Sequence, residues 1–525
     1  MKTALLYRPV FVLLYLMIIG LAVYSPVLEG DFICDDYVFL SYNHSIRNFP
    51  DLRPIWFSFP TRFLVFVTFA VNYALHGFRV MGFHLVNIFI HIFNSFLVYL
   101  FVLHLSKSPF ARGPSACPGD LPAFWAALVF LCHPVQTQAV AYIFQRATCL
   151  ATLFYLLTLV LYFTFRQGNG RWAYGLAIVS FLCAIFCKEM AVTLPGALLL
   201  CELFFFRPGQ EDWAGLARRL LPFVLLCGVL LLVFFSSRVD ESGLTLNQQL
   251  AGSQFSWYFF LTEVNVLRTY LRLLVFPAFQ RFEYDYPVVM SLWEIRTGLS
   301  AVLLLGLLGY AGASFRRNRI LSFCVFWFFL TTSVEVAVVS LVHRALLFEH
   351  WLYLPMVGFS IFLVSFLCDR IGEAEGLKRV GFVLILSLCV MTVLRNQVWR
   401  QEIRFWEYEA ALSPRKLSVH YEAGVACDRK GYKAKALSFY LKAVDLIEDK
   451  RSKTRLDPVT TAKLYNNIGI IYTARGDYPK ARGAFEKALR FDALEGGVER
   501  NLRILLDHAD GDGEEEEKEP RPYDQ

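Results

Sequence analysis

The sequence predicts an all-α, polytopic membrane protein of about eleven transmembrane helices, followed by a C-terminal helical-repeat domain. Three observations carry this. The apolar residues make up 56% of the chain, which is high for a soluble domain. They gather in segments long enough to cross a bilayer, which needs ~20 residues. After residue 394 the composition turns polar, and a sequence motif recurs.

The first segment, residues 10–28, follows Lys2 and Arg8. It exceeds the ~7 to 15 apolar residues of a cleaved signal, so it reads as a signal anchor that stays. Further spans are expected at 82–105, 121–133, 149–165, 172–187, 190–206, 220–235, 297–313, 320–341, 353–367 and 380–394. Residues 63–75 form too short a stretch to cross, and 255–276 carry Glu263, Arg268 and Arg272. Both read as helices lying in the interface. With the N-terminus cytoplasmic, the loops carrying Lys107, Arg112, Arg166, Arg171, Arg218, Arg219, Arg316, Arg317, Arg319 and Arg370 face the cytoplasm, as the distribution of positive charge requires. Asp35 and Asp36, and everything after Leu394, are then exoplasmic.

The twelve cysteines lie mostly inside the proposed spans, where they act as small apolar residues. No Cys or His spacing matches a metal site, and no nucleic-acid partner is expected.

The repeat has two copies. Gly424, Ala436, Tyr440 and Ala443 recur at the same offsets as Gly469, Ala481, Phe485 and Ala488. This is the tetratricopeptide pattern of two antiparallel helices that touch where small residues let them. Flanking helices at 404–412 and 497–508 are expected as caps. The domains are therefore 1–395, transmembrane; 400–508, repeats; and 509–525, an acidic disordered tail.

Ionisable groups at membrane depth point to function. His133 and Arg146 in HPVQTQAVAYIFQR, Lys188 and Glu189 in FCKEMAVTLPG, and His343, Arg344, Glu349 and His350 in HRALLFEHWLYLP share the face of Asp35 and Asp36. Such a cationic face suits a polyprenyl-phosphate-linked sugar. His84, Asn87, His91 and Asn94 form one polar stripe, read first as helix packing. Of the adjacent acids, one can serve as general base and the other can orient the site or hold a divalent cation. The cationic groups are expected to keep the base ionised.

Taken in order, GDFICDDYVFLSYN, GFHLVNIFIHIFN, HPVQTQAVAYIFQR, CKEMAVTLPG and EHWLYLPMVGF, with the repeats behind them, resemble the transmembrane and tetratricopeptide-repeat O-mannosyltransferases. These are of glycosyltransferase C type. The resemblance implies transfer of a sugar, usually mannose, from a polyprenyl phosphate to a protein Ser/Thr hydroxyl, with inversion. It implies Asp35 as base with Asp36 beside it, and Arg146, Lys188, Arg344 and His350 as donor-phosphate ligands. His84, His91, His133, Glu189 and Glu349 are expected as supporting polar groups. Trp351 stands where the family commonly offers an Arg. The short repeat array resembles a bacterial relative, so a bacterial inner membrane is expected, with the endoplasmic reticulum as the alternative. The repeats are expected to hold the protein acceptor. A membrane scaffold or lipid-carrier transporter, or an oligosaccharide ligase using a diphosphate carrier, are the competing readings.

Overall fold

The structure, a computed structural model, describes residues 8–108, 120–206, 213–236, 255–291, 293–342, 347–448, 458–491 and 497–509. The expected tail beyond residue 509, together with His343 and Arg344, lies outside these. The described residues form helices and turns, with no strand among them. They fall into two compact units, Met1–Phe282 with Tyr286–Gln401, and Glu283–Asp285 with Glu402–Gln525.

In the first unit, seven helices among the described residues are long and apolar enough to cross a membrane: Pro9–Glu29, Val80–Ser106, Ile143–Arg166, Glu189–Phe206, Ile295–Ala313, Arg319–Leu341 and Ala374–Trp399. The pair Asp120–Cys132 and Pro134–Ala141, bent by 50°, makes an eighth if taken as one span. Eleven were expected. The shortfall has local causes. Pro134 lacks the amide needed to continue the helix from Cys132. Trp172–Ile185 has 14 residues and Pro355–Ile371 has 17; they extend about 21 and 25 Å against a hydrocarbon core of ~30 Å. The expected span at 220–235 falls in Trp213–Ser236, whose last side chains lie outside the described residues. The two stretches assigned to the interface are helical, at Phe63–His76 and Trp257–Val275.

The polar stripe on Val80–Ser106 fastens this bundle. Asn87 Nδ2 donates to Val140 O (3.3 Å) and Ile143 O (3.2 Å), and Asn94 Nδ2 donates to Cys149 O (2.9 Å). His91 Nε2 faces Leu131 O at 3.1 Å, so Nε2 carries the proton and Nδ1 accepts from the Tyr353 hydroxyl at 2.7 Å. In an apolar interior polar groups need partners, and three of the four stripe residues, Asn87, His91 and Asn94, find theirs on neighbouring segments.

In the second unit, Leu417–Arg429 pairs with Lys433–Glu448 and Pro458–Ala474 with Tyr478–Leu489. Each turn places a glycine in left-handed backbone, Gly431 at φ 82° and Gly476 at φ 74°. The repeat glycines allow the close approach. A Cβ on Gly424 would stand 2.3 Å from the Tyr440 ring, and one on Gly469 2.6 Å from Phe485. Tyr440 is fully buried and its hydroxyl accepts from Asn467 Nδ2 at 3.3 Å, so the ring has nowhere to retreat. Gly424→Val should therefore destabilise this unit by about 1–3 kcal/mol, read as a lower unfolding midpoint for the repeat region; an unchanged midpoint would show that the helix pair can part at no cost.

Candidate active site

The loop that follows the first span turns sharply at Cys34, whose φ is 52°. The Asp36 amide donates to Ile33 O at 3.1 Å, and Asp36 Oδ2 accepts from the Ile33 amide at 3.2 Å. Asp36 Oδ1 accepts from the Phe144 amide at 2.7 Å. Its two oxygens therefore tie the loop to itself and to the 142–145 segment, and Asp36 is 1% exposed. The expected role as a cation ligand does not fit a carboxylate so engaged. Asp35 differs. Its amide donates to the Tyr142 hydroxyl at 3.2 Å, and its half-buried carboxylate is left with that hydroxyl and, at 3.8 Å, the Cys34 thiol. One carboxylate is held by backbone amides and its neighbour is not.

Burial pushes Asp35 above the ordinary carboxylate range, against the pull of the Tyr142 hydroxyl and the Arg62 charge. Burial pushes Asp36 up further, opposed by the amides of Ile33 and Phe144. The Arg62 charge acts in the expected direction, favouring the ionised base, and desolvation opposes it.

The segment containing HPVQTQAVAYIFQR is the hub, and all of 133–146 is buried. His133 Nδ1 accepts from the Val135 amide at 3.3 Å while Nε2 donates to Leu274 O at 3.1 Å, so this histidine anchors its own turn. Gln138 Oε1 accepts from the His350 amide at 2.7 Å and from His350 Nδ1 at 3.2 Å. Glu349 accepts from Gln280 Nε2 and from the Arg281 amide, both at 2.7 Å. Phe144 stacks on Phe39 with ring centres 4.1 Å apart. Within the first unit, the stretches 30–43, 82–94, 133–146 and 349–359 therefore meet, although they are far apart in the chain.

The cations divide into occupied and available. Arg146 is fully buried; Nε donates to Asn87 Oδ1 (2.7 Å), Nη1 to Thr68 Oγ1 and Asn72 Oδ1, and Nη2 to Phe83 O (3.0 Å). Its guanidinium also lies 4.3 Å from the Phe69 ring centre. The expected phosphate role does not fit it, since every nitrogen already has an acceptor. His350 is held well below its usual range by burial, with the Lys188 and Arg62 charges adding to the effect. With Nδ1–H on Gln138, the neutral ring presents Nε2 as an acceptor, so it is not a cationic ligand either. Lys188 is 5% exposed and gives Nζ to Thr148 Oγ1 at 2.8 Å. Burial lowers its pKa while Glu189 supports its charge. His84 is buried beside Gly30, and neither ring nitrogen has a partner among the described residues.

Sequence reasoning missed Arg62, at the head of Phe63–His76. Its guanidinium lies 5.5 Å from the Phe144 ring centre and 3.7 Å from Glu189, and its charge reaches Asp35, Lys188 and His350. A lone Arg flanking an apolar helix reads as snorkelling, so only the folded geometry picks it out.

Tetratricopeptide-repeat models match residues 417–450 and 462–493. Over most of its length the chain aligns with proteins named protein O-mannosyl-transferase. Tmtc3 of Drosophila melanogaster is 24% identical, covering 85% of this chain and 54% of the relative. Two further relatives carry the same name. F38B6.6 of Caenorhabditis elegans is 24% identical over 83% of this chain and 62% of its own length. Human TMTC4 is 25% identical over 80% and 64%. The chain thus spans between about half and two-thirds of the length of these curated relatives. No solved structure matches it.

Proposed function

We propose that this chain is a membrane glycosyltransferase that moves a hexose, mannose foremost, from a polyprenyl-phosphate carrier to a Ser or Thr hydroxyl of a protein on the exoplasmic face, with inversion. The observation that carries the reading is the contrast within one dipeptide. Asp36 is locked to two backbone amides, while Asp35, at the same turn, keeps a half-buried carboxylate next to Tyr142 and within reach of the Arg62 charge. The relatives named as protein O-mannosyl-transferases support the same chemistry.

The steps follow from that arrangement. Asp35 takes the proton of the acceptor hydroxyl as its oxygen attacks the anomeric carbon. The bond from that carbon to the phosphate oxygen breaks, and its electron pair leaves with the polyprenyl phosphate. Lys188 stabilises the charge that grows on the departing phosphate. A single displacement inverts the anomeric centre. Arg344 remains a proposed phosphate ligand, and the repeats are proposed to position the acceptor, since two-helix repeats present extended binding surfaces.

The purified protein, given labelled polyprenyl monophosphate mannose and a Ser/Thr-containing protein acceptor, should transfer the sugar, and the corresponding diphosphate-linked sugar should not serve. Transfer from the diphosphate carrier alone would make the chain a ligase. Transfer from neither would leave a scaffold or transporter.

A further inference from the structure

Resting on that reading, we propose that Arg62 is a phosphate ligand of the donor site, paired with the Glu189 carboxylate until the donor phosphate displaces it.

A guanidinium carries five N–H donors in a fixed fork suited to a phosphate. On Arg146 every nitrogen is occupied. Arg62 makes no side-chain hydrogen bond among the described residues. Its contacts are the Phe144 face and Glu189 at 3.7 Å, beyond hydrogen-bond reach. Its side chain is 32% exposed and that of Glu189 46%, so a ligand can reach both. Its place is fixed from two sides. The Leu64 amide donates to Phe186 O at 3.2 Å, which docks the helix start on the turn leading to Lys188. The ring beneath its guanidinium belongs to Phe144, whose amide holds Asp36.

The fork therefore lies over the ring whose amide holds the Asp35–Asp36 turn, on a helix start docked beside Lys188, and its charge reaches both Asp35 and Lys188, where a phosphate must lie if Asp35 is to serve an acceptor at the sugar's anomeric carbon. Glu189 bears the charge sign and the planar oxygen pair of a weak substitute. A phosphate that engages the fork at ordinary charged hydrogen-bond distances replaces a loose contact with tight ones, and the exposed Glu189 returns to water.

The test is binding of polyprenyl phosphate to the full-length protein in detergent, with uncharged polyprenol and inorganic phosphate as separate arms. The parent should bind polyprenyl phosphate, not polyprenol, and should need far more inorganic phosphate to displace it. Arg62→Gln should weaken binding about 10- to 100-fold, Arg62→Lys should fall between, and Glu189→Gln should bind as tightly as the parent or more so. Unfolding midpoints are followed for each variant, and the Lys variant, which keeps charge and stem, separates lost binding from lost structure. Parental binding by Arg62→Gln would overturn the proposal while leaving the transfer reading intact. Equal loss in Arg62→Gln and Glu189→Gln would overturn it too, because Arg62 would then act only as a structural partner of Glu189. Displacement by inorganic phosphate at the lipid's own concentration would overturn the lipid assignment. A parent that binds no polyprenyl phosphate would sink this proposal together with the reading beneath it.

Discussion

Asp35→Asn should lower sugar transfer by on the order of 10² to 10⁴ while the protein stays folded and still binds donor lipid. The substitution keeps the shape of the side chain and its reach to the Tyr142 hydroxyl, and removes the proton acceptor. The half-buried position of Asp35 makes the change tolerable for folding, since the loop is held through the Asp35 amide and the Asp36 carboxylate. A pH signature accompanies it. The base must be ionised, and burial raises its pKa, so transfer by the parent should fall away on acidification at a higher pH than an ordinary carboxylate, near ~3.9, would dictate. The Asn variant should show only a residual rate without that acid limb. Near-parent transfer by a well-folded Asp35→Asn protein would remove Asp35 from the chemistry.

Arg146→Met should produce the largest loss of stability. The methionine fills much of the stem volume but leaves Asn87 Oδ1 and Asn72 Oδ1 without donors in the bundle interior, and Phe83 O loses its second donor. Each orphaned buried group costs about 1–3 kcal/mol. Relief from burying a cation offsets part of that, and partial relaxation offsets more, so a net loss on the order of 3 kcal/mol is expected. Thermal unfolding in detergent reads it. Donor-lipid binding per folded molecule should not change. If Arg146→Met were as stable as the parent and lost lipid binding, the phosphate role expected from the sequence would be restored and the structural one abandoned.

These two residues mark how far the sequence could be read. Asp35 was legible because its loop follows directly on the first span, and the repeats were legible because glycine and aromatic residues recur at fixed offsets whose reason is a contact within the same helix pair. Arg146 was legible as an unusual charge, and its use was not. Its acceptors on Thr68, Asn72, Phe83 and Asn87 lie 59 to 78 residues away, and nothing in the local pattern says that a guanidinium will find all of them. The divergence of Asp35, as base, from Asp36 beside it was expected, but not that backbone amides would fix the Asp36 carboxylate. That depends on the left-handed turn at Cys34, a conformation that a cysteine does not advertise. Apolar composition does not reveal where a proline bends a segment or where a helix stops a turn short, which is why fewer of the described helices meet the length of a span than were expected.

The repeat unit includes one piece that a cut by residue number would miss. Glu283 lies well upstream of the first repeat, yet its carbonyl accepts from the Ser413 hydroxyl at 2.8 Å, and its carboxylate accepts from Ser418 and stands 3.8 Å from Lys416. A fragment beginning at Glu402 would carry Ser413, Lys416 and Ser418 without the residue that joins them. Loss of function in such a fragment, or in a chimera built at that junction, would report a missing clasp as readily as a missing partner. Grafts of this domain onto other carriers should therefore bring residues 283–285 with them, or supply an acidic residue in their place.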